Sequence, residues 1–248
     1  MTETRSRSGP ARFAGKRVVV TGAAGGVGAT LVEMFRTEGA RVVGCDVTTS
    51  TDPDLLEVDL RDTTAVEAFA ASAVDRLGGV DVLCNVAGVQ RFAQVGDITA
   101  DALHLHLDVN LVAPVLLTQA LVPALAESRG NVVTIASISA VTAQGYNSVY
   151  CASKAGLLMA MRSMAIELAK VRVRVNCVSP GGIETPMPHT SAAQLPEDID
   201  WDLLTRHSSA FPGFMPPSDV CDAVLFLASD HAVSITGSNL VVDRGVVW

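Results

Sequence analysis

The stretch YNSVYCASKAG (146–156) holds both tyrosines of the chain, Tyr146 and Tyr150, together with Lys154, one of three lysines among 248 residues. A spacing of four puts Tyr150 and Lys154 on the same face of a helix. A phenol with its ordinary pKa of about 10 keeps its proton at neutral pH. A nearby ammonium favours the phenolate and brings that pKa toward the working range, where the pair can exchange a proton with a substrate oxygen. Lysine suits the task because its compact ammonium can also reach the hydroxyls of a neighbouring ligand. The small neighbours Ala152, Ser153, Ala155 and Gly156 leave room for one against the helix. Taken alone, the pair is better explained as a half-buried aromatic beside a lysine that snorkels to water.

A second group carries a different chemistry. TGAAGGVG (21–28) follows the apolar run KRVVV and opens a helix-like segment. Glycines there permit positive φ and let backbone N–H groups approach a diphosphate, while the following helix turns its positive end to the same anion. Asp46 closes the next apolar run, ARVVGCD. A carboxylate at that point accepts hydrogen bonds from the hydroxyls of an adenosine ribose and repels a 2′-phosphate. No Arg or Lys stands between Gly22 and Gly28. Coupled to the glycine turn, Asp46 predicts NAD over NADP; without that turn it would pass as a loop-initiating residue.

The elements that must hold these groups alternate between short β-branched runs and longer amphipathic ones. Strands are expected at 16–22, 40–46, 55–60, 81–88, 130–137, 173–182 and 238–245. Helices are expected from Gly26 to about Gly39, 64–77, from a cap at Thr99 to about Glu127, 149–170, and from a cap at Ser218 to Ala228. Strands apolar on both faces and separated by helices imply a parallel sheet covered on each side, an α/β doubly wound fold in one domain. Residues 1–13 are expected as a loose tail and 14–248 as the domain. The proline-rich stretch 183–217 lacks periodicity, and a loop of that length in a compact domain is usually a lid or binding segment.

Composition excludes several classes. The formal charge of −8 and the absence of a basic stripe argue against nucleic acid. The apolar stretch 111–125 is too short to span a membrane, and no signal peptide precedes the first strand. The five cysteines are dispersed without C-x-x-C pairs, as expected of small buried hydrophobes in a reducing cytoplasm. The histidines (His104, His106, His189, His207 and His231) form no metal cluster and are expected at surface or packing positions.

The ordered set of motifs resembles the one-domain branch of the short-chain dehydrogenase/reductase family. It comprises T-G-x-x-x-G-x-G, N-x-A-G at Asn85–Gly88, a serine thirteen residues before the tyrosine, Y-x-x-x-K, and P-G at 180–181. The match runs from about residue 14 to the C-terminus. The resemblance implies a hydride-transfer enzyme in which Tyr150 is the acid/base, with Lys154 beside it. Ser137, with Ser139 as the rival two residues short in spacing, would orient the substrate oxygen, and Asn110 would complete a tetrad through a water linked to the lysine. It also implies cofactor contacts from Gly22, Gly26, Val27, Gly28, Asp46, Asp59, Leu60, Asn85, Ala87, Gly88, Pro180, Gly181, Ile183 and Thr185. Two positions depart from the pattern: Val86 replaces a second asparagine, and Arg244 interrupts the usual D-G-G.

A substrate pocket is expected from Gln90–Phe92, Ser139–Tyr146, Gly182 and the lid, with Tyr146 selecting rather than reacting. Met187, Trp201, Phe211, Phe214 and Met215 in the lid suggest a hydrophobic or cyclic secondary alcohol or its ketone; Arg91 either meets an anionic group or faces solvent. The segment 149–169 is apolar nearly all round, and relatives bury it in subunit contacts, so a homotetramer is expected, with a dimer as fallback. The rival readings are an NADP-linked 3-oxoacyl-carrier-protein reductase and a non-catalytic NAD-binding regulator. Asp46 disfavours the first and the intact tetrad the second.

Overall fold

Val18, Val19 and Val20 are consecutive and fully buried, so the first strand needs cover on both faces. The computed structural model, which describes residues 11–187, 195, 199–205, 209–211 and 213–246, provides it. Its strands are β1 (Arg17–Thr21), β2 (Arg41–Asp46), β3 (Leu55–Glu57), β4 (Val82–Asn85), β5 (Asn131–Ile135), β6 (Arg174–Pro180) and β7 (Asn239–Val242). They form one parallel sheet in the order β3-β2-β1-β4-β5-β6-β7. The order reverses between β1 and β4, and the strand ends there open a crevice.

The helices are α1 (Gly26–Thr37), α2 (Thr63–Leu77), α3 (Ala100–Leu107), α4 (Ala113–Ser128), α5 (Ser148–Leu168), α6 (Trp201–Thr205) and α7 (Pro217–Ala228). On one face of the sheet Leu31 and Phe35 of α1 and Val220, Val224 and Leu225 of α7 pack against Val18, Val20 and Val82. On the other face Phe69 of α2, Leu117 and Leu121 of α4, and Leu157 and Met161 of α5 pack against Val19, Leu83 and Val132. The single-domain, Rossmann-like fold read from the sequence is the fold observed.

Several boundaries differ for physical reasons. Residues 11–13 belong to the fold rather than to a tail: Phe13 is buried edge-on against Phe35, with ring centroids 4.8 Å apart, and Arg12 pairs with Glu38. Residues 1–10, the rest of the expected tail, lie outside the described residues, as do Val247 and Trp248. Strand β3 stops at Glu57 instead of residue 60, because Asp59 bonds Arg61 and Asp62 caps α2 by accepting from Thr64 and Ala65. Ser218 lies inside α7, which starts at Pro217 without a side-chain cap.

The expected helix from residue 100 to about 127 is interrupted by a π-turn, Asp108–Val112, between α3 and α4. The whole run Ala100–Ser128, 29 residues, is long and apolar enough to cross a membrane by length and composition. Its Leu117, Leu121 and Leu125 are fully buried under the sheet, so in this fold it is a core helix.

Candidate active site

Glycine makes the crevice possible. A Cβ on Gly28 would lie 1.9 Å from the Gly22 carbonyl oxygen, and one on Gly22 (φ +66°) would lie 2.9 Å from the Ala87 Cα. The turn, α1 and the end of β4 can therefore close on one another only without side chains. Thr21 locks the arrangement, its Oγ1 accepting from Val86 N–H (3.0 Å) and Ala87 N–H (3.1 Å). Helix α1 begins after Gly25 with no side-chain cap and no acid in its first turn, which leaves its N-terminal N–H groups open to an anion. Asp46 sits across the turn, its two oxygens accepting from Ala24 N–H and Thr48 N–H, each at 3.0 Å. A backbone-walled, anion-accepting cradle next to a carboxylate fits a dinucleotide.

The cluster around Tyr150 lies at the ends of β4 and β5. Tyr150 and Lys154 of α5 are both buried, and the Lys154 Nζ is 5.9 Å from the Tyr150 ring centroid. That amine donates to the Ile135 carbonyl oxygen (2.9 Å) at the end of β5. Gly88 brings the N-x-A-G turn alongside: a Cβ there would be 3.3 Å from Asn110 Oδ1 and 3.4 Å from Lys154 Nζ. Ser137 acts on the Tyr150 phenol, holding its pKa down, and its Oγ accepts from Ser139 N–H at 3.0 Å, so Ser137 rather than Ser139 is the serine at the phenol. Ser139 is buried two residues on.

Burial governs the protonation of the pair. It pushes the Tyr150 phenol up to about 12, against the opposing effect of the Ser137 hydrogen bond. It pushes the Lys154 amine down to about 8. In the free site the phenol therefore lies above its ordinary value and not below it as expected, and what opposes the desolvation is Ser137 rather than the Lys154 ammonium.

Asn110 occupies the π-turn and is fully buried. Its Oδ1 accepts from Val89 N–H (2.8 Å), and its Nδ2 donates to Val89 O (2.9 Å) and Ser153 Oγ (3.0 Å). Ser153 donates in turn to the Tyr150 carbonyl at 2.8 Å. Ser153 is therefore small for bonding and not for ligand room, which corrects the expectation from the helix neighbours. Gly156 is small for packing, since a Cβ would meet Leu111 at 3.3 Å, while Ala152 and Ala155 face outward.

The remaining expected positions divide. Val27 is buried in the core, and Thr185 lies against the glycine turn, 3.2 Å from where a Cβ on Gly26 would be. Asn85 is turned under the crevice, donating to Thr118 (3.2 Å) and Thr134 (3.3 Å) with its Oδ1 buried and unpartnered. The Asp59 carboxylate is held by Arg61, and Leu60 borders the small void beneath Asn85 and Ala87. Pro180 ends β6, and Gly181 N–H bonds Val242 O (3.0 Å). Gly182 faces the Phe214 ring, and Ile183 pairs with Met215.

In the lid, Met215 is buried in the core under α7 and so leaves the expected pocket set, whereas Trp201, Phe211 and Phe214 are exposed. Tyr146 adopts a left-handed backbone (φ 59°), and its hydroxyl accepts from Asp200 N–H at 3.0 Å, while Leu203 of α6 presses on Gly145. Arg244 also has positive φ (57°), where the family pattern has glycine, and it reaches Gly213 O (3.4 Å) and Asp219 (3.8 Å). Pro188, His189, Pro196, His207 and Pro212 lie outside the described residues. Sequence reasoning missed Ser153, Thr21 and His106. His106 is buried and bonded to the Arg91 backbone, and its only signal was standing four residues before Asn110.

The fold and cradle define a dinucleotide-binding α/β oxidoreductase. A family model described as enoyl-(acyl carrier protein) reductase matches residues 22–247, and the chain belongs to the short-chain dehydrogenase/reductase family. It is 32% identical to the 3-oxoacyl-[acyl-carrier-protein] reductase FabG of Thermotoga maritima, over 95% of this chain and 99% of the relative. A short-chain dehydrogenase from Mycobacterium paratuberculosis bound to NAD superposes with TM-score 0.87 at 26% identity, over 94% of this chain and 98% of that one. One from Burkholderia cenocepacia in complex with NADP gives TM-score 0.82 at 27%, with the same coverages.

Proposed function

We propose that the chain is an NAD-dependent dehydrogenase/reductase interconverting a hydrophobic or cyclic secondary alcohol and its ketone. The observation that carries this is the buried Ser137–Tyr150–Lys154 cluster at the mouth of a glycine cradle. Gly22, Gly26, Val27 and Gly28 with the α1 N-terminus would hold the diphosphate, Asp46 the ribose, and Asp59 and Leu60 the adenine side. Asn85, Ala87 and Gly88 with Pro180, Gly181, Ile183 and Thr185 would border the nicotinamide. Bound nicotinamide supplies the hydride acceptor or donor.

The chain's own residues handle the oxygen. Ser137 Oγ orients it and stabilises charge developing there. The Tyr150 hydroxyl takes or gives its proton. Lys154 holds a positive charge beside the phenol, and Asn110 fixes the Val89 backbone and Ser153 around the pair. Ser139, Tyr146 and Gly182 would shape the substrate side, closed by the exposed aromatics of the lid.

Asp46 supports NAD, because a 2′-phosphate would meet its carboxylate with no Arg or Lys between Gly22 and Gly28 to offset it. A second reading, an NADP-linked 3-oxoacyl-carrier-protein reductase, is favoured by the similarity to FabG. Comparing kcat/KM with NAD and NADP across secondary alcohols, and with an acetoacetyl thioester, separates the two. NAD and cyclic alcohols should lead by about 100-fold, the worth of a ribose-hydroxyl hydrogen bond to a charged group. An NADP advantage with the thioester would overturn the assignment.

A further inference from the structure

We infer that His106 is a positioning residue for this reaction: as a neutral imidazole it latches the Arg91 backbone and buttresses the Tyr150 ring, so that its protonation releases the substrate-side wall. The inference rests on Tyr150 being the acid/base. His106 lies in α3 and is 1% exposed. Its Nδ1 is 2.7 Å from the Ala102 carbonyl oxygen, which can only accept, so the proton is on Nδ1. Nε2 is therefore the lone-pair nitrogen, and it accepts from Arg91 N–H at 3.0 Å. Both ring nitrogens are committed in one tautomer.

The same ring stands edge-on to Tyr150, with centroids 6.3 Å apart and planes at 75°. Asn110, four residues on, holds Val89 through both its backbone N–H and its carbonyl. Two side chains thus fasten the segment 89–91 along α3 and the π-turn, immediately after the N-x-A-G turn and at the wall expected to meet substrate. A second proton on His106 would set Nε2–H against Arg91 N–H and break that latch. The groups that act on the ring are the Tyr150 ring, edge-on from α5, and the positive charge of Arg91 on the segment it holds. Burial and the Arg91 charge both disfavour protonation, so the latch stays shut at neutral pH and opens on the acid side. Breaking the bond takes from the Arg91 N–H, part-buried against the imidazole, its acceptor.

The test uses H106Q, which keeps an acceptor and does not titrate, and H106L, which keeps bulk alone. At about pH 8, H106L should lose about 10-fold in kcat/KM for the alcohol with the KM for NAD unchanged, and H106Q should recover most of it. On acidification the wild type should lose kcat/KM faster than H106Q. Independently of turnover, the hydrogen-exchange protection of the Arg91 amide should fall between about pH 8 and about pH 5 in the wild type and stay level in H106Q. Identical acid limbs in wild type and H106Q, an unimpaired H106L, or pH-independent Arg91 protection in the wild type would each overturn the inference. Tyr150→Phe in the same assay reports separately on the acid/base reading, and the exchange measurement stands without it.

Discussion

Lys154 is a charged group placed where charge is disfavoured. It is 3% exposed, its amine satisfied in part by the Ile135 carbonyl, and its pKa is brought down to about 8. Such an arrangement trades stability for function. Lys154→Met keeps length and removes the buried amine. It loses one hydrogen bond worth about 1 kcal/mol but is relieved of the larger desolvation. Melting should rise by ~2–4 °C, about 1 kcal/mol for a domain of this size, while turnover disappears. The pH dependence has a definite sign. Because the folded pKa lies below the ordinary lysine value of 10.5, the unfolded chain binds more protons between about pH 8 and 10.5. On the Lys154 contribution alone, the wild type therefore gains stability as pH rises through that window. The Met variant should lack that gain in a series of thermal melts. An unstable, still active Lys154→Met would contradict the account. Tyr150 and Lys154 were legible because their spacing encodes one helix face, whereas Ser137 was legible only through the family resemblance. Ser153 and His106 were not, because a buried hydrogen bond to a backbone group leaves no periodic trace.

At the scale of elements, α5 has two jobs on two faces. Its inner face carries Tyr150, Ser153, Lys154 and Leu157, all buried. Its outer face carries Ala152 and Ala155 with Met159, 61% exposed, and Ile166, 78% exposed. This outward apolar row is the reason to propose a homotetramer, or failing that a dimer, built across α5. Met159→Glu should shift the mass in light scattering from oligomer to monomer, since burying an unpaired carboxylate there costs several kcal/mol; a monomeric wild type would refute the proposal. The near all-round hydrophobicity that signalled this face was visible in the sequence. The π-turn at Asp108–Val112 was not: one residue inserted into an apolar run leaves the pattern unbroken, yet it sets where Asn110 points. The early end of β3 was hidden likewise, because Asp59 and Asp62 use their side chains on the local backbone.

The whole molecule converts sheet topology into chemistry. A parallel sheet that changes winding direction between β1 and β4 opens one crevice, and the glycine turn, Asp46, the N-x-A-G turn and the α5 pair all lie at it. The alternation of double-faced strands with helices made this legible, since few other architectures bury such strands. The lid was legible only as an interruption. Its contacts depend on long-range partners such as Tyr146 with Asp200 and Arg244 with Gly213.

Because burial drives the phenol up to about 12 and the amine down to about 8, the first proton to leave the pair comes from the amine, and a proton shift from phenol to amine turns that state into phenolate with ammonium, one proton fewer than the fully protonated pair. Alcohol oxidation needs that form, and ketone reduction needs both protons. The decisive measurement is kcat/KM against pH in both directions, for the wild type and Tyr150→Phe. The wild type should rise through about pH 8 in oxidation and fall through the same pH in reduction, and Tyr150→Phe should lose about 1000-fold or more in each direction. A Tyr150→Phe enzyme within about 10-fold of wild type, with its pH profiles intact, would contradict the central claim.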